Sequence, residues 1–530
     1  MDPKKSKKKY KKGMIMAKRV LSLLLCGVML LSVLALVACT EKTPTPGTSG
    51  SAGTSSGSGT EITTPASTEK ECPIPAEDMD GYEFVAYEGY FGTGNTVASD
   101  FTVDESTSSV LDEAKFRRNA LVENRFGVTV TAEQVKCTST TGSAEGYGVV
   151  MKYKTSGDPS YDTVILPAYD QTKLAINGAL FDMTKIPYLD LTQSYWDQQV
   201  VDNLSIKGML FFLEGDYSIS AFDAAVVIAF NKELAKQNQI NDLYDLVSDG
   251  KWTMAKWMEY TRLVTGDLNG DDMYTQKDLY GSLLWDDAIY AVVHSTGELC
   301  CTLDDNGDLV LTAGTEKIVT AFSDFVTFAK ENCCFRYQRT FNDSGVATDY
   351  SASTYGKEMF TNNQGLFFFA ALSAVNEIRD METDYGILPP FKYSEEQDRY
   401  YATVNPYGAR FMGMPLFLED EERSGKLLEA IGFYSEDIIP YAYYEKTLVG
   451  SVIKDEESLP MLELIRNSRV YDLGYFYQPS NINKNYIYLF RAYNPAWATQ
   501  YAKLEKAAST VLDRQINKSF DTLAETWAQH

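Results

Sequence analysis

Residues 224–230 read Ala-Ala-Val-Val-Ile-Ala-Phe, seven apolar side chains without a break, and Asn231 follows as a helix cap. A strand with one wet face alternates apolar and polar residues. An unbroken run needs cover on both faces, as in a sheet layered between helices. Residues 161–166 (Tyr-Asp-Thr-Val-Ile-Leu, then Pro167) read the same way, and residues 82–87 alternate as a further strand. Helical patterns lie between and after these runs. Residues 111–126 form one, followed by a strand at 128–131. Thr253 caps a helix carrying Met254, Trp257 and Met258 on its apolar side. Leu427, Leu428, Ile431, Ser435 and Ile438 form a stripe, and Ser458 is placed to cap a helix that turns Leu462 and Ile465 inward. Strands alternating with helices specify an α/β architecture. No internal repeat interrupts it.

The first 38 residues answer to other constraints. Nine lysines and arginines fall within the first nineteen residues, and residues 20–38 carry no charge. A basic stretch, an apolar run and a small residue before a cleavage point mark a secretory signal. Nineteen apolar residues could also just cross a bilayer. Leu36-Val37-Ala38-Cys39 decides for export, because it resembles the bacterial lipobox, whose cysteine is lipidated and becomes the first residue. Residues 39–77 then read as the lipidated Cys39 and a Ser/Thr/Gly/Pro tether. The 32 residues 40–71 reach roughly 30 Å as a flexible coil. The expected location is the outer face of a bacterial membrane. Without residues 1–38 the chain carries 39 basic and 72 acidic side chains, a net of −33. Such a surface repels nucleic acid and anionic headgroups, so the acyl chains alone would hold the body to the membrane. Only two histidines occur, His294 and His530, which argues against His-based zinc sites and His-centred triads.

Several segments, in order and spacing, resemble the extracellular solute-binding proteins of ABC importers, in the large lipoprotein branch of the family that includes the maltose-binding protein. They are Gly215-Asp216-Tyr217-Ser218-Ile219-Ser220, Ala229-Phe230-Asn231-Lys232-Glu233-Leu234 and Gly250-Lys251-Trp252-Thr253, then Asp267-Leu268-Asn269-Gly270-Asp271 with Tyr280-Gly281, Asp384-Tyr385-Gly386-Ile387-Leu388-Pro389, and Ser468-Arg469-Val470-Tyr471-Asp472. The resemblance implies a two-lobed, periplasmic-binding-protein-like fold of type II with hinge strands and a helix-rich C-terminal part. It places lobe one at 78–230 plus about 388–445, and lobe two at 231–387 plus about 446–530. It implies a monomer that closes on a small solute, with sugar favoured, and hands it to permease subunits with no chemistry done on it.

Thirty-five tyrosines, 26 phenylalanines and six tryptophans suit sugar rings, whose apolar faces stack on aromatic side chains. Ligands in open α/β sheets sit beyond the carboxyl ends of strands. Tyr169 and Asp170 follow the 161–166 strand, where the resemblance puts polar sugar contacts. Asp223 adjoins the first crossing strand, where the family often has a cleft acid. Trp285, Asp286 and Asp287 follow the 280–284 strand, a second-lobe sugar-contacting segment by the same resemblance. Phe369 and Ser373 end the 366–369 strand. Tyr217, Ser218 and Ser220 either line the cleft or form a turn leading into the crossing. Leu166 stands where the family has a tryptophan, which tells against a maltodextrin.

Asp267, Asn269, Asp271, Met273 (through its carbonyl), Thr275 and Asp278 have the spacing of a calcium loop, expected as a structural staple. Asp272 replaces the usual turn glycine, and Asp278 is one methylene short of the usual glutamate. Residues 304–308 read as a hairpin with a type I′ Asn-Gly turn. The pairs Cys300-Cys301 and Cys333-Cys334 could bridge each other or stay as buried thiols. Two competing functions remain at this level. One is a membrane-anchored glycan-active enzyme, needing two carboxyls about 5–10 Å apart. The other is a solute sensor signalling to a membrane partner.

Overall fold

Both runs that demanded double-sided cover are interior strands of sheets, buried along their whole length. The computed structural model describes residues 70–90, 99–103, 109–137, 146–338, 352–444 and 455–529. Its strands, in chain order, are β1 (Glu83–Tyr90), β2 (Thr129–Lys136), β3 (Thr163–Pro167), β4 (Val226–Asn231), β5 (Tyr280–Leu284), β6 (Cys301–Leu303), β7 (Leu309–Leu311), β8 (Cys334–Arg336), β9 (Gly365–Ala371), β10 (Tyr385–Leu388), β11 (Ala402–Thr403), β12 (Arg410–Gly413) and β13 (Arg469–Val470). Leader, Cys39 and tether lie outside the described residues, and no described helix is long and apolar enough to cross a membrane.

One sheet has the order β12-β3-β1-β2 and the other β10-β4-β9-β5-β8. In the first, β1 runs parallel to both neighbours and β12 runs antiparallel to β3, with Arg410 opposite Pro167. In the second, β5 is parallel to β8 and β9, while β4 is antiparallel to β9 and β10. The chain passes between the sheets at Ala224–Ala225 and returns at Val404–Asn405. Main-chain bonds tie these two crossings together: Ala225 bridges Val404, and the Asn405 N–H donates to the Ala224 carbonyl at 3.0 Å.

Aromatic packing fills both halves. Trp257, on the helix Met254–Leu263 that Thr253 caps as expected, packs against Phe325, Phe328, Phe369 and Phe391 with ring centroids 5.1–5.5 Å away. Its indole N–H donates to Ser282 Oγ at 2.9 Å, so the buried polar edge is satisfied. The C-terminal helices reach both sheets. Trp497 packs on Phe322, beside the second sheet. On the last helix, Lys518–Trp527, Phe520 packs on Phe211 and Trp527 on Phe181. Phe181 is held to the first sheet's edge by its N–H bond to the Met414 carbonyl.

One open choice is decided and two local readings are corrected. The six described cysteines are buried and unbonded, so the two pairs form no bridge. Cys300 and Cys301 direct their main-chain N–H groups at Asp472, whereas Cys333 sits beside Glu331. Ser458 does not cap its helix. It is the first helical residue, its N–H is taken by Asp455, and its hydroxyl accepts from the Ile387 N–H. The 304–308 hairpin forms, but as a longer turn in which Gly307 alone has positive φ (76°), so it is not type I′.

A buried ionic cluster anchors the crossing end of the first sheet. Asp100 accepts from Arg410 Nη2 at 2.8 Å and lies 3.9 Å from Lys115 Nζ. The Arg118 guanidinium, fully buried, donates to the Asp100 carbonyl and lies over the Phe101 ring. Glu88 accepts the Asp100 N–H at 2.9 Å, and burial followed by the Asp100 charge holds its carboxyl above the usual range. Asp100→Ala strips this set of its central anion. We expect a loss of about 3–5 kcal/mol, measured by urea unfolding, with the midpoint rather than the slope changed.

Candidate functional site

The carboxyl ends of β3 and β5 come together across the crossings. Pro167 ends β3 and leads directly into the helix Ala168–Ile176, which places Tyr169 at its first turn. Burial pushes the Tyr169 hydroxyl far up, the nearby Asp287 charge adds to this, and hydrogen bonds from Asn483, Tyr475 and Gln478 oppose it. On the other side, β5 gives way to Trp285, Asp286 and Asp287 before the helix Ala288–Ser295. Asn405, on the return crossing, donates Nδ2 to Asp287 Oδ2 at 2.8 Å and accepts the Tyr407 N–H at 2.9 Å. One seam therefore joins a lobe-one tyrosine, a lobe-two carboxylate and a hinge amide. Burial, then the adjacent Asp286, raises Asp287 to about 7.

Further along the crossings, Asp223 accepts from Tyr443 Oη and from Asn376 Nδ2 at 3.1 Å. Asn376 sits at the end of the short helix that follows β9. Burial raises Asp223 to about 6, against those two hydrogen bonds and the charges of Lys115 and Arg410.

The remaining candidates are scattered. Asp286 is buried and ion-paired with Arg491 at 2.5 Å. Trp285 is partly buried against the second lobe's core. Asp170 points into lobe one toward Gly146, where a Cβ would lie 2.5 Å from its Oδ2. Ser373 is partly buried in the first turn of the helix Leu372–Asn376. Tyr217 and Phe369 are core rings, each fully buried. Tyr217 packs along Phe101, and Phe369 lies against Trp257. Ser220 Oγ bonds the main chain of Arg410 and so pins the start of β12. Sequence reasoning missed Asn405, Tyr443, Asn376, Tyr475 and Asn483. Asn405-Pro406-Tyr407-Gly408 carried a turn signal; the others carried none.

A cavity of about 220 Å³ opens beside Ser218. Leu213 bridges Met412 and Gly215 bridges Trp196, so residues 213–215 extend the first sheet beyond β12, on the side away from β3. Phe222 and Tyr443, the latter the partner of Asp223, stand in its wall.

The loop at 267–278 is held by its own oxygens. Asp267 accepts three main-chain N–H groups, including that of Asp272 at 2.7 Å, and Asp278 accepts those of Leu268 and Thr275. Asn269 and Asp271 each accept the N–H two residues on, the Met273 side chain is exposed, and Thr275 Oγ1 donates to Asp278. Asp272 adopts the left-handed turn (φ 59°) that a glycine would normally supply. Among the described residues no group of three or more His, Cys, Asp or Glu could hold a metal ion. The calcium expectation therefore rests on spacing alone.

Thr403, His294 and Asp472 are linked as a triad would be, with Nδ1 2.7 Å from Thr403 Oγ1 and Nε2 2.9 Å from Asp472 Oδ2. All three are buried, and Asp472 also accepts the N–H groups of Cys300 and Gly474. No solvent-facing group is left to meet a substrate, so the set is a structural staple.

The amino-acid sequence matches no family model, and no curated protein matches it. Solved structures do. An ABC substrate-binding protein from Listeria monocytogenes, in complex with cycloalternan, is 13% identical, with a TM-score of 0.50 over 83% of this chain and all of the other. A maltose/maltodextrin-binding domain from Bdellovibrio bacteriovorus bound to maltotriose gives 13% and 0.50 over 82% and 99%. UgpB from M. tuberculosis, in complex with glycerophosphocholine, gives 13% and 0.52 over 81% and 98%. The chain has the fold of the maltose-type ABC solute-binding proteins. In that fold the Tyr169–Asp287 seam lies between the two lobes, at the carboxyl ends of their strands.

Raised carboxyls make this seam pH-sensitive in a defined direction. Between about pH 4 and 6 for Asp223, and about pH 4 and 7 for Asp287, the folded chain holds a proton that the unfolded chain has released, so stability falls as pH rises, by up to roughly 1.4 kcal/mol per unit for each group. The melting temperature is expected to be higher at pH 5.5 than at pH 8, and the double variant Asp223→Asn, Asp287→Asn should flatten that difference.

Proposed function

We propose that this chain captures a small solute, in first place a carbohydrate, between its two lobes and passes it unaltered to the permease of an ABC importer. The observation that carries the reading is the Tyr169–Asp287–Asn405 seam, in which both lobes and a hinge strand contribute polar groups at one place. Support comes from relatives in fold that hold cycloalternan, maltotriose and glycerophosphocholine. The ligand favours closure because it touches both lobes only when they are together. Lipid on Cys39 would keep the receptor near its permease.

A thermal-shift panel of mono- and oligosaccharides, glycerophosphocholine and short peptides tests the solute. A true ligand at 100 times its Kd adds about 2.7 kcal/mol, and Asp287→Ala should lower its affinity about tenfold or more. Mass spectrometry should recover that ligand unchanged; turnover would favour the enzyme reading. A peptide shift with no sugar shift would overturn the carbohydrate assignment. In the cell, Cys39→Ala should move the protein from the membrane fraction to the medium.

A further inference from the structure

Cys333 and Cys334 stand where the turn after the helix Glu316–Phe328 enters β8, the edge strand of the second sheet. Glu331 and Asn332, just before them, are exposed. Cys333 keeps 6% and Cys334 8% of their surface, against 1% and 0% for Cys300 and Cys301. Cys72 also keeps 6%, but no cysteine adjoins it in the chain. The two thiols at 333 and 334 are not equivalent. A hydrogen bond from Cys334 draws the Cys333 thiol below its ordinary pKa, against part burial and the Glu331 charge, and the Arg262 charge assists. Arg262 holds Glu331 through Nε at 2.8 Å and Nη2 at 2.7 Å, which offsets that carboxylate where its Oε2 lies 3.9 Å from Cys333 Sγ. Burial keeps the Cys334 thiol well above its ordinary pKa, and so protonated. The thiolate is the nucleophile in cysteine chemistry. A nucleophilic sulfur toward solvent with a protonated thiol beside it is the arrangement of redox-sensing cysteines.

We propose that Cys333 and Cys334 form a peroxide-reactive site, in which Cys333 is oxidised and Cys334 resolves it. The Cys333 thiolate attacks one oxygen of hydrogen peroxide. The O–O bond breaks, and the departing hydroxide takes up the proton that the thiol released, leaving a sulfenic acid on Cys333 and a water. The Cys334 sulfur then displaces the hydroxyl group from Cys333, and that group leaves as water with the Cys334 proton. In all, one peroxide is reduced to two waters and the two thiols are oxidised to a disulfide. The narrow opening favours peroxide over a bulkier disulfide as oxidant. Closing the bridge turns the peptide between the two residues, whose carbonyl accepts the Ser282 N–H and whose N–H donates to the Glu331 carbonyl, each at 3.0 Å. Oxidation is therefore felt in β5, the strand that leads to Trp285, Asp286 and Asp287. The site does not depend on which solute the seam takes.

Peptide mapping of the full chain after treatment with hydrogen peroxide tests this. The peptide holding both cysteines should lose two hydrogens and regain them on reduction. In Cys334→Ser, dimedone should trap a sulfenic acid on Cys333 at about tenfold the level on any other described cysteine, because thiolate character sets reactivity. In Cys333→Ser neither product should form at the pair. Melting curves confirm that each variant is folded; where one is not, the map of the unaltered chain decides alone. Oxidation that begins at Cys72, Cys137 or the 300–301 pair overturns the proposal. So does a 333–334 peptide that stays reduced, or one that passes to sulfinic acid without forming the bridge.

Discussion

Everything in this molecule hangs on two short strands of main chain bonded to each other where they pass between the sheets. Ala224–Ala225 and Val404–Asn405 share an isolated bridge and an N–H···O bond, and the Leu372 N–H adds a third tie at Ala225. Small side chains at 224 and 225 let these backbones approach. Because β4 begins directly after one crossing and β12 soon after the other, each sheet's register is referred to the same few atoms. The polar groups at the strand ends inherit their placement from that anchor.

Charge is distributed with the same logic. The surface is strongly acidic, yet Lys115 and Arg118 are buried, and Arg410 partly buried, around Asp100 and Glu88. They leave Asp223 and Asp287 facing their seam with hydrogen-bond donors, Tyr443, Asn376 and Asn405, rather than with full ion pairs. A carboxylate held by neutral donors in a partly dry place is poised to bind hydroxyls, and its proton affinity rises for the same reason.

Much of the scaffold was legible because it obeys local rules. The apolar run at 224–230 had to be an interior strand, and Asn231 and Thr253 had to cap what followed. The rest depended on partners far along the chain. Asp287 meets Asn405 across 118 positions, Asp223 meets Asn376 across 153, and Tyr443 across 220. No periodicity encodes such meetings. Phe369 illustrates the converse: position near a strand end suggested exposure, but ring packing claimed it for the core, as it did Tyr217, which was open between cleft and turn. Ser458 had a cap's identity, but its own N–H goes to Asp455 and its hydroxyl accepts the Ile387 N–H.

The last helices add a consequence for motion. Lys207 near the first sheet is ion-paired to both Asp308, in the β6–β7 hairpin, and Asp521, in the terminal helix. Phe520 and Trp527 rest on rings of the first lobe while Trp497 rests on the second. A pure swing about the crossings would tear this far margin apart. Any separation of the lobes has to slide these rings over one another and break the Lys207 pairs, so the two halves are tied at this margin as well as at the crossings.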